Sequence, residues 1–223
     1  MSSFVLKMIA IISMFIDHIG YLIWGGFSYF NYIGRLAFPI FAFQISEGYV
    51  HTKNLKKYFL RLILFAFISQ IPFMLFYNLV SPKFSLNIFF TLVLGLICIF
   101  IFDKLKYKKA AIIISAFIGL LAQYLNCDYG FYGIAIILVF YIFKKNTIIA
   151  NISFMLITLI NYILPYIASE YNKIYLFLFI CTIFPIIFIS LYNGKKGKNT
   201  KYLLYLFYPI HLLIIYGISL LIN

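Results

Sequence analysis

One run of apolar residues after another fills this chain, and only short polar breaks separate the runs. A helix needs about 20 mostly apolar residues to cross a bilayer, and most of the runs approach that length. They cover residues 4–24, 33–50, 58–80, 84–102, 109–125, 130–143, 147–167, 171–192 and 200–222, of which the short sixth predicts a partial or tilted helix. Because 65% of the 223 residues are hydrophobic and only 10% are charged, no part of the chain could cover a soluble domain with charge. We therefore predict an all-α polytopic bundle of about nine spans, with residues 1–223 forming a single integral membrane domain.

The formal net charge of +13 is distributed unevenly along the chain. Most loop lysines lie in alternate breaks, and only Lys83 and Lys173 lie in the other breaks. The first group comprises Lys53, Lys56, Lys57, Lys104, Lys106, Lys108, Lys109, Lys144, Lys145, Lys195, Lys196, Lys198 and Lys201. Basic residues accumulate in cytoplasmic loops, so the pattern predicts a cytoplasmic N-terminus, an external C-terminus and a multi-pass protein of the cytoplasmic membrane. These lysines are expected to contact anionic lipid of the bilayer, and no nucleic-acid partner is expected.

The first apolar run is predicted to remain in the protein as a span and not to act as a signal peptide. Asp17 and His18 interrupt its middle, and no small-residue cleavage site follows. The three cysteines, Cys98, Cys127 and Cys181, are an odd number without the spacing of metal ligands. Neither a disulfide framework nor a metal site is therefore expected.

Ionisable side chains inside the apolar runs are the main functional candidates, because each is costly in hydrocarbon unless it faces a partner or water. Asp17 and His18 are adjacent near the middle of the first span. Lys7 precedes His18 by 11 residues, which puts both on nearly the same helix face, with His18 about 16 Å further along the axis. Arg35 begins the second span from the outer side and can approach Asp17 and His18. This pattern predicts a buried reactive site, with a basic group on the same helix face nearer the cytoplasm.

Five further polar residues are candidates for the substrate site or the wall of its cavity. Ser46 and Glu47 lie in the second span. Asn87 begins a polar and small-residue stripe that predicts helix packing first and a cavity wall second. Asp128 precedes a Tyr-Gly pair, where it either caps a helix or touches a substrate. His211, far along the chain, is a packing residue or lines the same cavity as His18.

Seven segments, spread along the chain from end to end, are informative when they are taken together in this order. They are KMIAIISMFIDHIGY at 7–21, GRLAFPIFAFQISEGY at 34–49, HTKNLKKYFLR at 51–61, ISQIPF at 68–73, LNIFFTL at 86–92, DYGFYG at 128–133 and YLFYPIHLL at 205–213. Together they resemble the TraX family, which is associated with N-terminal acetylation of conjugative pilin.

The chain is also similar to the wider acyltransferase-3 group of membrane acyltransferases. In that group a basic residue, ten residues and a histidine mark the first helix, as Lys7 and His18 do here. A Pro-x-Phe-x-Phe-x-x-Ser-x-Gly segment is matched at residues 39–48. The chain departs in size and in having about nine spans where the larger relatives have about ten. No gated pore or fused extracellular domain is therefore implied.

The resemblance implies transfer of an acyl group, with acetyl-CoA as donor, to a peptide, a pilin-like subunit or a cell-envelope sugar. On this reading His18 is the general base, Arg35 stabilises the oxyanion or orients His18, and Asp17 holds the acceptor ammonium. The cationic side chains that would hold the phosphates of the donor from the cytoplasm are Lys7, Lys53, Lys56, Lys57 and Arg61. Direct transfer and an acyl-histidine intermediate both remain open.

Two other classes of function fit the same residues. In a proton-coupled transporter, Asp17, His18, Arg35 and Glu47 would form a relay through the bundle; inverted repeats would favour this reading, and the sequence shows none. In a non-catalytic membrane partner of a secretion apparatus, the Asp17–His18 pair would only hold helices together.

Overall fold

A computed structural model of the chain describes residues 1–24, 26–81, 83–198 and 202–222. These residues form helices, and within the described ranges the only β-type pairing is an isolated bridge between Leu86 and Cys127. The helices are α1 (Ser3–Trp24), α2 (Tyr29–Gly34), α3 (Ala37–His51), α4 (Leu55–Val80), α5 (Ile88–Lys104), α6 (Lys108–Tyr124), α7 (Gly130–Ile142), α8 (Thr147–Ala168), α9 (Ile174–Ile183), α10 (Pro185–Ser190) and α11 (Leu203–Ile222).

The apolar runs of the sequence correspond to helices, as expected for a helical membrane protein. Three helices, α1, α4 and α8, are long and apolar enough to cross a membrane, and Gly130–Ile142, Ile174–Ser190 and Tyr205–Leu221 are shorter apolar helical segments. Nine spans and the orientation of the termini stay predictions. The predicted start of the ninth span, Thr200 and Lys201, lies outside the described residues.

Two predicted spans are interrupted helices. The second span, predicted as one stretch, ends its first helix at Gly34 and resumes at Ala37, so Arg35 lies in the break. The eighth is divided at Phe184, between α9 and α10, because the ring of Pro185 has no N–H for the helical ladder and favours the first position of a new helix.

The chain divides into two compact units, each built from separate segments. Unit 1 comprises Met1–Phe41, Ile68–Lys83 and Thr158–Asn223, and unit 2 comprises Ala42–Phe67 and Phe84–Ile157. Neither unit is a continuous stretch of sequence. The single integral domain therefore stays a prediction.

In unit 1 the first two residues of α1 pair with the loop that precedes α11. The Ser3 amide donates to the Lys195 carbonyl at 2.8 Å, and the Phe4 amide donates to the Lys196 carbonyl at 3.1 Å. These hydrogen bonds satisfy amides at a helix start that has no earlier turn to receive them. They also fix the first turn of α1, and Lys7 with it, against this lysine-containing loop.

In unit 2 polar side chains connect the ends of several helices. Asn87 caps α5, since its Oδ1 accepts from the Phe89 amide at 3.0 Å, and its Nδ2 donates to the Ala66 carbonyl at 2.7 Å. At the other end of α5, Asp103 accepts hydrogen bonds from the Tyr141 hydroxyl at 2.7 Å and the Tyr49 hydroxyl at 3.0 Å. These bonds join α5 to α3 and α7.

Candidate functional site

The adjacent residues Asp17 and His18 point from α1 towards different helices. Neighbouring residues of a helix project about 100° apart, so the two side chains cannot share one face. Asp17 lies on a stripe with Ser13 and Gly20, at spacings of four and three, and this stripe faces α2. His18 faces α11. One dipeptide therefore brings two chemically different groups to the same depth of the bundle.

The Asp17 carboxylate is held by α2. The Nδ2 of the fully buried Asn31 donates to Asp17 Oδ1 at 2.8 Å and to the Asp17 carbonyl at 3.3 Å. The Asn31 amide can point only this way, because its Oδ1 accepts from the Ser28 amide at 2.5 Å. The Ser28 hydroxyl donates to the same oxygen at 3.1 Å. Asn31 therefore fixes both the position of Asp17 and the identity of the carboxylate oxygen that stays available, Oδ2.

Arg35 and Gly34 complete this side of the site. The Arg35 Nε donates to the Asn31 carbonyl at 3.3 Å, and its guanidinium interacts electrostatically with Asp17 and His18. Gly34 packs directly on Asp17: a Cβ at this position would overlap its carboxyl group. The close approach of α2 to α1 therefore depends on the absence of a side chain at Gly34.

His18 forms a hydrogen bond with His211, which lies 193 residues later in the chain. His18 Nδ1 and His211 Nε2 are 2.7 Å apart, and the planes of the two rings differ by only 9°. His211 Nδ1 is 2.7 Å from the Phe207 carbonyl, one helical turn earlier in α11. A carbonyl oxygen can only accept, so His211 Nδ1 carries the hydrogen.

The direction of the hydrogen bond between the two histidines follows from this. A neutral imidazole has one donor and one acceptor nitrogen, so His211 Nε2 accepts and His18 Nδ1 donates. Two imidazoles in contact are both neutral in these surroundings, because a charge on either would be poorly solvated among apolar helices. His18 Nε2 is thereby left with a lone pair, as a general base requires.

Within the described part of the chain, the unprotonated nitrogen of His18 faces the Asp17 oxygen that Asn31 does not bind. His18 Nε2 and Asp17 Oδ2 are 4.0 Å apart, and both side chains are partly exposed, whereas His211 is buried. His211 is thus the inner member of the pair, and the accessible part of the cluster is formed by Asp17 and His18. The separation leaves room for one donor atom between two acceptors.

Aromatic rings surround the histidine pair within unit 1. The His18 ring centroid is 4.9 Å from that of Phe76 in α4, and the His211 ring stacks on Phe207 at 4.6 Å. Phe15 meets both Phe207 and His211 edge-on, with centroids 6.1 and 6.3 Å away. These rings limit the space around the two imidazoles and keep their planes nearly parallel.

The structure brings together four of the residues that the sequence singled out, Asp17, His18, Arg35 and His211, all in unit 1. The sequence prediction missed Asn31, Gly34 and the Phe207 carbonyl. The first two could have been found from their spacing of three, which matches the small and polar stripe of α1. The carbonyl leaves no signal in a sequence. The catalytic and binding roles of all these residues stay predictions.

The basic residues expected to bind the donor divide between the two units. In unit 1, Lys7 lies close enough to Lys196 for the two positive charges to repel each other. In unit 2, Lys53, Lys56 and Lys57 are exposed at the start of α4. Arg61 is partly buried over the Tyr58 ring, and its Nε has no hydrogen-bond partner among the described residues.

The remaining candidates also lie in unit 2. Ser46 is buried, and Glu47 Oε2 lies 3.6 Å from His51 Nδ1. Asn87 is occupied as a helix cap, as described above. Asp128 does not occupy the N-cap position of α7, which is taken by Tyr129 in the left-handed region at φ 63°. Their predicted roles in substrate binding stay predictions. Among the described residues, no cluster of three or more His, Cys, Asp or Glu side chains is placed to hold a metal ion.

Comparison with known proteins supplies the family. The sequence profile described as TraX protein matches residues 2–219. A relative from Dichelobacter nodosus, described as "Probable fimbrial assembly protein FimC, serogroup H1", is 30% identical over 235 residues, covering 95% of this chain and 93% of the relative. No solved structure matches the chain. Because the profile and the relative both extend over nearly the whole sequence, the protein belongs to the TraX family.

Proposed function

We propose that this protein is a membrane-embedded acetyltransferase that moves an acetyl group from acetyl-CoA to the N-terminal amine of a pilin-like or other peptide. The observation that carries the proposal is the pair of acceptor atoms, His18 Nε2 and Asp17 Oδ2, which face each other 4.0 Å apart. Membership of the wider acyltransferase-3 group remains part of the same proposal.

An ammonium group fits between these two acceptors. If a nitrogen lies about 2.9 Å from each acceptor, the directions from the nitrogen to the two acceptors are about 90° apart. Two N–H bonds of a tetrahedral ammonium then deviate from these directions by only about 10° each. An ammonium can donate to both acceptors at once and is attracted by the carboxylate charge. A hydroxyl has a single hydrogen and leaves one acceptor unpaired. The arrangement therefore favours an amine over the hydroxyl of an envelope sugar.

The chemistry balances with His18 as the only base. The bound ammonium loses one proton through His18 Nε2 to water and becomes an amine. The amine nitrogen attacks the thioester carbonyl carbon, a C–N bond forms, and Arg35 stabilises the oxygen that becomes negative. The C–S bond then breaks, and the second proton passes from nitrogen through His18 Nε2 to the departing thiolate. The net products are an N-acetyl amide, the CoA thiol and one proton.

Each unit separately has basic side chains that support binding of a phosphate group on the predicted cytoplasmic side. Lys7 and Lys196 repel each other in unit 1, and a phosphate between them would relieve that repulsion. In unit 2 the first turn of α4 contains Lys56 and Lys57 and no acidic residue, so positive side chains add to the positive end of the helix dipole. The buried Nε of Arg61, one turn further, has no hydrogen-bond partner among the described residues and is a donor that a phosphate oxygen can satisfy.

The choice of a pilin-like acceptor rests on the relative, whose description names fimbrial assembly. The ring centroid of Phe76 is 4.9 Å from that of His18, and this ring limits the space beside the proposed base, which favours a small acyl group.

The deciding experiment measures CoA release and label transfer from radiolabelled acetyl-CoA by the purified protein in lipid nanodiscs. Three acceptors are compared: a pilin-derived peptide with a free N-terminus, the same peptide with a formylated N-terminus, and a free hexose. We expect label on the free amine alone. Label on the hexose would show that the acceptor is a hydroxyl and not an amine. The acetyltransferase proposal would be refuted if, with each of the three acceptors, CoA release were no greater than that of the His18→Ala protein.

A further inference from the structure

The backbone carbonyl that binds His211 also influences His18, because it determines which nitrogen of His18 carries the hydrogen. In Ser-His-Asp sites a carboxylate holds the imidazole hydrogen on the nitrogen away from the substrate. Here the carboxylate of Asp17 lies on the other side, 4.0 Å from Nε2, the nitrogen that must stay unprotonated. Without another partner, the negative charge of Asp17 would favour the tautomer of His18 with its hydrogen on Nε2, and that tautomer could not act as a base.

His211 is the group that opposes this outcome. Its Nδ1 hydrogen is committed to the Phe207 carbonyl at 2.7 Å, so its Nε2 can only accept, and it accepts from His18 Nδ1 at 2.7 Å. Since α-helical carbonyls do not move independently of the helix, the direction of both hydrogen bonds is set by the backbone of α11. Stacking on Phe207 at 4.6 Å holds the His211 ring in the plane that makes this possible.

We propose that His211 is a positioning residue for the acyl transfer, which selects the Nδ1–H tautomer of His18 and so keeps Nε2 free to take a proton. The inference rests on the proposed function for its catalytic meaning, but the tautomer can be measured without any activity. His211 does not touch the reacting atoms. Because it is neutral, it orients the base without adding charge, and the opposite charge for a protonated His18 comes from Asp17.

The chain is suited to a direct test, because it contains only three histidines. Protein labelled with ¹⁵N-histidine in detergent micelles gives three sets of ring signals, and His51→Gln removes the exposed one. Long-range ¹H–¹⁵N correlation distinguishes the Nδ1–H from the Nε2–H form of each ring. We expect both His18 and His211 in the Nδ1–H form. A His18 ring in the Nε2–H form in the unsubstituted protein would overturn the proposal.

Two substitutions separate tautomer selection from packing. His211→Phe keeps a ring against Phe207 but offers no acceptor, so His18 should change to the Nε2–H form and kcat should fall about 10²-fold or more, with little change in the KM for acetyl-CoA. His211→Gln spans a similar distance, and the Phe207 carbonyl draws the amide NH₂ towards itself, which turns Oε1 towards His18. This variant should keep the Nδ1–H form and regain most of kcat.

The outcomes distinguish this inference from the proposed function. If the unsubstituted protein transfers acetyl groups and His211→Phe does so equally well, the positioning role is refuted and the acetyltransferase stands. If no acceptor is acetylated but His18 changes tautomer in His211→Phe alone, the pairing stands and the function is wrong. Should His211→Phe fail to give monodisperse protein, His211→Asn replaces it, since its amide is too short to reach His18 and should lose the activity that His211→Gln keeps.

Discussion

Adding a single methyl group at Gly34 tests whether the position of Asp17 matters for the reaction. In the structure a Cβ at residue 34 would lie 2.5 Å from the Asp17 Cβ and closer still to its carboxyl group. Ordinary carbon contacts are about 3.5–4.0 Å, so α1 and α2 must separate at this point by about 1 Å. The Gly34 backbone is not in the left-handed region, so Gly34→Ala introduces this displacement without backbone strain.

Two magnitudes follow from that displacement. Overpacking of a well-packed contact destabilises a protein by about 1–3 kcal/mol, which lowers Tm but leaves a folded protein. A displacement of about 1 Å between a positioning group and the reacting atoms lowers the rate by about 10²-fold, equivalent to about 2.7 kcal/mol of transition-state stabilisation. We therefore expect Gly34→Ala to fold and to lose about two orders of magnitude in kcat/KM for the peptide amine, with the KM for acetyl-CoA nearly unchanged.

Gly217→Ala is the matched control. It lies in α11 of the same unit, and a Cβ there meets no described residue within 4 Å. Alanine is favoured over glycine inside a helix by about 0.5–1 kcal/mol, so this variant should be as stable as the parent or slightly more stable, with unchanged kcat/KM. Both are assayed by CoA release in nanodiscs and by thermal unfolding. A Gly34→Ala protein with kcat/KM within threefold of the parent would refute the reasoning that Asp17 must be held at this distance.

Three further outcomes are expected. His18→Ala should stay folded and bind acetyl-CoA but lose transfer by about 10²–10⁴-fold, whereas a stable variant with full turnover would exclude His18 as the base. Lys57→Ala should raise the KM for acetyl-CoA and reduce its dependence on salt, while Lys173→Ala, on the predicted outer side, should change neither; equal effects of the two would move the phosphate site elsewhere. A reporter fused after Asn223 should be exported and one inserted at Gly197 should stay cytoplasmic, and finding both on one side would disprove the nine-span topology.

Periodicity and charge in the sequence predicted much of the helical architecture. They located α1, α6 and α8 to within a residue or two, because these helices are continuous and their polar breaks are sharp. They missed the interruption at Arg35, although Pro39 lies in the first turn of α3, where a proline without an N–H favours the start of a new helix. The Ser13 hydroxyl also donates to the Ile33 carbonyl beside the break, a contact with α1 that a single sequence does not reveal.

For the candidate site, the sequence predicted which residues share a helix face but not which other helix that face contacts. Helical periodicity predicts which residues of one helix share a face, and so it placed Lys7 with His18. It does not predict which distant helix a face meets, so the bond between His18 and His211 could not be derived, although each had been singled out. The polar role of Asn31 was missed because it lies outside the predicted spans and looked like a residue of an ordinary turn.

The arrangement of the acceptor atoms offers a physical reason for the carboxylate of Asp17 inside an apolar helix, where a charged group is costly. Among the described residues Asp17 Oδ1 is paired with Asn31, while Oδ2 faces the lone pair of His18 Nε2 across 4.0 Å. Two acceptors facing each other repel, and neither gains a hydrogen bond from the other. A pair kept only to hold helices together would be more stable with a donor on one side, as Asn31 provides for Oδ1. A donor that enters from outside would relieve this repulsion, and under the proposed function that donor is the acceptor amine.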